Sequence, residues 1–387
     1  MHLSDLKQKS IKDLADLAED HGIDGAGGMR RQDLIFALLR EHSDAGESIE
    51  AEGVLEILPD GFGFLRAADH NYLPGADDVY VSPSQIRRFN LHTGDTVTGL
   101  VRPPKESERY FALLRVECVN HGDPDSHRGR STFDDFAPAH PSEKLDLCGG
   151  AVSTSILDAL CPLGKGQRCL ITSPPRAGKT TLLREIAGAI QRNHSECTII
   201  SLLIDERPED VTDFKRAMSV EVISTTFDEP PVRHVQIAEI VIEKAKRIAE
   251  GGADAVILLD SITQLARAYQ ASEPNAGHKA KRFFGAARKL EGSGSLTIIA
   301  TAHADTDSRS DDLVLEQLRG ACNTEIRLDR GLLDRREFPC IDVARSATRR
   351  DELLFDAAAA ERARALREAI LDLDPAAALA RVKQELG

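Results

Sequence analysis

The chain has 387 residues, 41% of them hydrophobic and 29% charged. That is more than one hydrophobic core usually spans and too apolar for wholesale disorder, so two or three globular domains are expected. With 49 Lys and Arg against 63 Asp and Glu the net charge is −14, which excludes indiscriminate phosphate binding by the whole surface and confines any nucleic-acid site to a local patch.

Residues 1–47 place Leu3, Leu6, Leu14 and Leu17, then Leu34, Ile35, Leu38 and Leu39, at helical spacing around the glycine-rich run HGIDGAGG. A small N-terminal helical bundle is predicted, with Ser10 and Asp13 as a capping box and a second amphipathic stretch from Asp33 to His42. The opening MHLSDLKQKS has no apolar core, and runs such as Ala255 to Leu259 are too short to cross a bilayer, so neither secretion nor membrane insertion is expected. The seven cysteines never form a C-x-x-C pair. Neither a disulfide framework nor a zinc knuckle is suggested, and a reducing cytoplasm fits best.

Over residues 48–120 the period shifts towards two. The runs GVLEIL, GFGFLR, DVYVS, DTVTGLV and YFALLRVECV predict five short strands, enough for a small barrel. In DGFGFLR a strand puts Phe62, Phe64 and Arg66 on one face, a platform on which unpaired bases stack. Arg87, Arg88 and Lys105 lie close enough in sequence to neutralise phosphates, and Tyr80, Glu108, Arg109 and Tyr110 add polar and aromatic reach. The competing reading buries Phe62 and Phe64 inside the barrel.

Residues 121–144, rich in His, Asp, Pro and Ser, show neither period and read as a linker. Over 145–355 strand-like runs (RCLIT, TIISLLI, EVISTTF, AVILLD, LTIIATA) alternate with helix-like ones, the pattern of a parallel α/β sheet with crossover helices. Residues 356–387, rich in Ala, Arg, Leu and Glu, predict a C-terminal helical tail.

The chemistry sits in the α/β segment. Directly after RCLIT come Ser173, Pro174, Pro175, Arg176, Ala177, Gly178, Lys179, Thr180 and Thr181, and then a helix. Strand, loop and helix in that order make a phosphate-binding loop, although Ser173 replaces its first glycine. Gly178 allows close backbone approach, Lys179 offers charge to the β and γ phosphates, and Thr180 offers a hydroxyl to Mg²⁺. AVILLD ends in Asp260, a candidate for holding Mg²⁺ through its water shell, whose bland alternative is a helix cap. The apolar run SLLI leads into a second acidic position, where Glu206 is the candidate general base and Asp205 its competitor.

Taken in order, the aromatic strand, YVSPSQIRRFNL, RPPKESERYFALL, PPRAGKT, LLIDERPEDVT, TFDEPPVRHVQIAE, LLDSIT and KRFFGAAR resemble the bacterial transcription termination factor Rho family from residue 1 to about 355. The resemblance implies a helical subdomain, an OB-fold that binds pyrimidine-rich single-stranded RNA, and a RecA-like ATPase that assembles as a homohexamer around an RNA channel. By motif it assigns Phe62, Phe64, Arg66, Asp78, Tyr80, Glu108, Arg109 and Tyr110 to RNA, and Lys179, Thr180 and Asp260 to ATP and Mg²⁺. It makes Glu206 the catalytic glutamate, Phe338 the adenine-stacking aromatic and Arg349 a finger reaching a neighbouring subunit's nucleotide. Arg207 then links subunits near the γ-phosphate. The implied activity is ATP-driven movement along nascent RNA towards RNA polymerase, with RNA–DNA unwinding and termination.

Several departures qualify the channel. Between Tyr269 and Lys281 only QASEPNAGHKA remains of a longer family loop, and in DTDSRSDD the candidate RNA contact Arg309 stands among Asp305, Asp307, Asp311 and Asp312. Gln264 occupies an arginine position of the family, Arg176 a lysine position, and RGACN replaces a glycine-richer run. An RNA- and ATP-binding regulator that does not translocate is therefore the second expectation.

Overall fold

The computed structural model describes residues 5–6, 9–44, 48–75, 77–105, 108–272, 278–306 and 308–386, without the side chains of 32, 43 and 44. The chain divides into two compact units, 1–131 and 132–387.

The first unit opens with helices α1 (Ile11–Asp20) and α2 (Arg31–Asp44). The Ser10 hydroxyl accepts the Asp13 N–H at 3.2 Å while the Asp13 carboxylate accepts the Ser10 N–H at 3.3 Å, the reciprocal cap expected of that pair. Leu14, Ala18, Leu34, Leu38 and Leu39 are buried and share one core with the barrel. Each buried leucine contributes about 1.5–3 kcal/mol, which offsets the marginal stability of such short helices.

Strands β1 (Ile49–Ile57), β2 (Gly63–Arg66), β3 (Val79–Val81), β4 (Thr96–Arg102) and β5 (Phe111–Val119) close a barrel in the order β1-β2-β3-β5-β4. Its interior takes alternate residues, among them Val97 and Val101 of β4. Between them Gly99 passes so close to β5 that a Cβ would lie 2.1 Å from the Arg115 carbonyl oxygen, so only glycine permits closure there. Helix α3 (Pro83–Phe89), capped by Ser82, leads from β3 towards β4.

The stretch expected as a linker is ordered. In the first unit Pro124–Gly129 forms a 3₁₀ turn and Arg130 reaches the buried Asp95 at 2.6 Å. In the second, Phe133 is buried with Arg288 4.9 Å above its ring, and its N–H donates to Glu250 at 2.6 Å. Neither feature has a period, which is why composition alone reads as connector.

In the second unit, β6 (Pro138–Ala139), β7 (Lys144–Leu145) and β8 (Leu163–Gly164) are short. The five strand-like runs become β9 (Arg168–Ser173), β10 (Thr198–Glu206), β11 (Glu221–Thr226), β12 (Asp254–Asp260) and, after β13 (Arg288–Leu290), β14 (Ser295–His303). With β15 (Thr324–Arg327) and β16 (Ala347–Thr348) they order as β11-β10-β12-β14-β9-β15-β16. The first six run parallel, and β16 is antiparallel to β15.

Helices α4 (Val152–Leu160), α5 (Lys179–Asn193), α6 (Pro208–Ala217), α7 (Pro231–Glu250), α8 (Ile262–Ser272), α9 (Lys279–Gly285), α10 (Arg309–Arg319) and α11 (Arg330–Asp334) connect these strands. The last two, α12 (Ala357–Ile370) and α13 (Pro375–Leu386), are not a loose tail. Ile370, Ala378, Leu379 and Val382 are buried in the same core as Leu183 and Ile186 of α5. Among the described residues no helix is long and apolar enough to cross a membrane.

Candidate nucleotide site and aromatic cleft

The end of β9 and the start of α5 set the first site. Ser173 is the last residue of the strand, buried, with its hydroxyl donating to the Pro174 carbonyl at 2.8 Å. The chain then turns through Arg176 and Gly178 at φ 67° and 89° and enters the helix at Lys179. Only Gly178 adopts that conformation without steric cost, and the turn aims the helix N-terminus at the space above the sheet, a disposition suited to phosphate.

Parallel pairing brings the ends of β10 and β12 alongside, and five side chains converge. The Lys179 ammonium donates to Asp260 and, at 3.2 Å, to Glu206. The Asp260 carboxylate, fully buried, also accepts the hydroxyls of Thr180 at 2.7 Å and Thr301 at 2.6 Å. Burial opposes the Asp260 charge, but Lys179 and these hydroxyls outweigh it and hold the carboxyl below its ordinary range. Burial likewise pulls Lys179 down, and Asp260 with Glu206 more than restores it. Burial pushes Glu206 up to about 7, with the Asp260 charge adding to the rise. One acid is thus held ionised and its neighbour poised near neutrality, a pairing chemically able to divide cation binding from proton transfer.

The two acids ending β10 face different ways. Glu206 turns to Lys179, whereas the Asp205 carboxylate, on a residue at φ 59°, accepts from the Gln264 amide. Gln264 in turn accepts from Arg267 at 2.9 Å, and Arg267 forks onto the buried Asp311 at 2.5 and 3.1 Å. A hydrogen-bonded line therefore joins the residue before Glu206 to α10, the helix that Arg309 opens. Of the carboxylates that flank Arg309 in sequence, Asp311 is thus buried and held by Arg267. Arg309, Asp305 and Asp312 are exposed, while Asp307 lies outside the described residues.

Phe338 is 56% exposed and borders a cleft of about 280 Å³ with Arg176, Ala177, Gly178, Thr181 and Leu182, next to the phosphate loop. Pro175 is exposed at the loop's outer edge and Arg207 is exposed at the N-cap of α6, beside Glu206. Arg349 is elsewhere. It follows Thr348, which pairs with Thr324, which pairs with Cys169, four residues back along β9 from Ser173. At ~3.3 Å per residue that is about 13 Å towards the opposite end of the sheet. It lines a surface hollow with Arg168 and Asn323 instead.

The second site lies on the outside of the barrel. Leu65 enters the barrel core, so the flanking Phe64 faces away from it, where its neighbours leave it only 9% exposed. Its ring centroid is 4.8 Å from that of Tyr110, 5.8 Å from Phe62 and 6.1 Å from Tyr80, with the Arg66 guanidinium 5.0 Å above it. Arg66 is not an open cation on this face, as sequence expected. It is buried and closed between Glu56 at 2.6 Å and Asp78, which fixes the guanidinium over the Phe64 ring. Asp78 is drawn up by burial despite its partner.

Beside this cluster Tyr80, Glu108, Arg109 and Tyr110 line a cleft of about 640 Å³. Arg102, missed in the sequence, completes it and holds Glu108 at 2.8 Å, keeping that carboxyl down at about 2. The arginine opening RPPKESERY was the available signal. Arg87 and Lys105 are exposed outside the aromatic cluster, and Arg88 packs over Phe89 at 5.1 Å.

Three family models match successive parts of the chain: the Rho termination factor N-terminal domain over residues 5–47, the Rho termination factor RNA-binding domain over 51–125, and the ATP synthase alpha/beta family nucleotide-binding domain over 153–348. The chain is 50% identical over 396 aligned positions to transcription termination factor Rho of Pseudomonas aeruginosa, covering 98% of this chain and 94% of that one. It is 52% identical over 371 positions to the factor of the same name from Escherichia coli, covering 92% and 88%. In fold it is similar to an ATPase from the type III secretion system of pathogenic bacteria, with TM-score 0.53, 23% identity and coverage of 61% and 71%.

Proposed function

Because the chain belongs to the transcription termination factor Rho family, we propose that it binds nascent single-stranded RNA on the barrel and hydrolyses ATP at the phosphate loop to terminate transcription. The subunits form a homohexamer in the cytoplasm, moving along pyrimidine-rich RNA towards RNA polymerase and unwinding RNA–DNA hybrid. The observation that carries this reading is the convergence of Lys179, Thr180, Glu206 and Asp260 above the parallel sheet.

In hydrolysis the loop from Ser173 to Thr181 cradles the triphosphate, Phe338 stacks on the base, and Lys179 leaves its two carboxylates for the phosphate oxygens. The oxygen donors Thr180 and Asp260, already 2.7 Å apart, fit Mg²⁺ held through its waters. Mg²⁺ would supply charge neutralisation between the β and γ phosphates. Glu206, released from Lys179, takes a proton from the attacking water. Arg349, remote from its own phosphate loop, completes the site of a neighbouring subunit, with Arg207 beside the γ-phosphate. A cation that arrives only when subunits close ties cleavage to ring geometry.

A second reading keeps RNA and ATP binding without translocation. It is favoured by the six residues, 273–278, that alone separate α8 from α9 where the family channel loop is longer; 273–277 lie outside the described residues. The deciding experiment measures ATP turnover with and without C-rich RNA, together with displacement of an RNA–DNA hybrid bearing a single-stranded RNA tail. Turnover with displacement supports the first reading, and turnover without it the second. Failure to take up nucleotide in the presence of magnesium overturns both.

A further inference from the structure

His21 caps the C-terminus of α1, where its N–H is tied to the Leu17 carbonyl at 3.1 Å. Glu41 and His42 lie near the end of α2. The fold brings the three together: His21 Nδ1 is 3.1 Å from Glu41 Oε2, and one ligand atom from each residue lies within 4.8 Å of the other two. The imidazole centroids are 6.1 Å apart at an interplanar angle of 68°.

These dimensions suit one metal ion. Around a tetrahedral zinc with bonds of ~2.0–2.1 Å, neighbouring donors are about 3.3 Å apart and two imidazole centroids roughly 5 Å apart. The His21–Glu41 pair is already at that donor spacing, and the His42 ring needs to approach by about 1 Å, within a side-chain rotation. The backbones that carry the donors are helical or helix-capping. The side chains of His21 and Glu41 are 32% and 39% exposed, which leaves an entry path. Two imidazoles and a carboxylate select a borderline divalent ion over Mg²⁺, which prefers all-oxygen ligands.

Among the described residues one other cluster has comparable spacing, Asp146, Cys148 and Asp158. It is poorly disposed to bind. Asp158 is engaged by Lys144 at 2.7 Å and by the Cys148 thiol at 3.2 Å. Burial and the neighbouring carboxylates push that thiol up to about 12, away from the thiolate a metal needs.

We propose that His21, Glu41 and His42 form a three-ligand site for a divalent transition-metal ion, zinc by donor preference, with a fourth position open to water. The ion pins the end of α1 to the end of α2 and so stabilises the helical part of the first unit.

The test titrates the full-length protein with Co²⁺, in excess Mg²⁺ to occupy the oxygen donors at the phosphate loop, and follows visible absorption before competition with Zn²⁺. One equivalent should bind with a spectrum of nitrogen and oxygen donors and no thiolate charge-transfer band. His21→Ala and His42→Ala should each weaken binding by more than about tenfold, since changes to groups that merely orient ligands already cost 10–100-fold. Cys148→Ser should bind as wild type does, and Zn²⁺ should raise the unfolding temperature of the wild type but not of His21→Ala. No Co²⁺ uptake, uptake unchanged in both histidine variants, or uptake abolished in Cys148→Ser would overturn the proposal and leave His21 and Glu41 as a plain hydrogen-bonded pair.

Discussion

Replacing Lys179 with alanine removes the one ammonium between Asp260 and Glu206, and two consequences follow. The Asp260 side chain is 0% exposed and retains only the hydroxyls of Thr180 and Thr301. Breaking a buried pair from one side costs about 3–5 kcal/mol. For a unit of 256 residues (132–387) that is a fall of roughly 6–20 °C in unfolding temperature, at about 2–4 °C per kcal/mol. The pH dependence has a definite sign. In the wild type the Asp260 carboxyl is held below its ordinary value, so its stabilisation is present above the unfolded value and lost as pH falls through the folded one. In the variant that carboxyl rises above its unfolded value, favours the fold in acid, and loses this benefit as pH rises. The gap in unfolding temperature should therefore be widest near neutrality and narrow towards about pH 4. Hydrolysis should drop by about 10³-fold, the scale of losing one preorganised charge at a transferring phosphoryl group. RNA retention should survive, because the aromatic cleft belongs to the other unit. Thermal melts across pH, ATP turnover and filter retention of C-rich RNA measure all three. A folded variant that hydrolyses within about tenfold of wild type, or a gap that grows in acid, refutes the reasoning.

Phe64→Ala removes the ring at the centre of the aromatic cluster and should weaken RNA retention by about 5- to 150-fold, at ~1–3 kcal/mol per stacked base. Basal hydrolysis and the circular dichroism of the barrel should persist because Leu65, not Phe64, fills the core; an unfolded barrel would show the ring to be structural. With Glu206 raised to about 7, turnover at saturating ATP and RNA should climb with pH through the neutral range as the base loses its proton. Glu206→Gln should flatten the residual activity, and a wild-type profile independent of pH would remove Glu206 as the base. Arg349→Ala should cut turnover by about 10³-fold or more, and mixing it with Lys179→Ala subunits should restore part of the activity, since some interfaces then hold both intact groups. Mixed rings as inactive as either parent would argue against a finger acting in trans.

Much of the molecule was legible from local chemistry. The five apolar runs that became β9, β10, β11, β12 and β14 announce a buried parallel sheet, because only strands covered on both faces are continuously apolar. Phosphate-loop geometry follows from Gly178 and Lys179 at a strand-to-helix turn. Less visible was the ordered stretch around Phe133, whose burial depends on Arg288 and Glu250, more than a hundred positions away. The closing helices gave no sign of their place either. Their alanine-rich composition suits a solvent-facing tail as well as a core, and only the packing of Leu379 and Val382 against the nucleotide unit separates the two.

By itself the order of residues determined which elements form and which side chains can carry charge, stacking or proton transfer, since those properties travel with residue type and spacing. Tertiary structure alone decided which carboxylate of Asp205 and Glu206 meets Lys179, that Arg66 is closed between Glu56 and Asp78, and that Arg349 stands far from its own phosphate loop. Each of those outcomes depends on strand register and burial, quantities set by contacts between segments distant in the chain, and no local pattern encodes them.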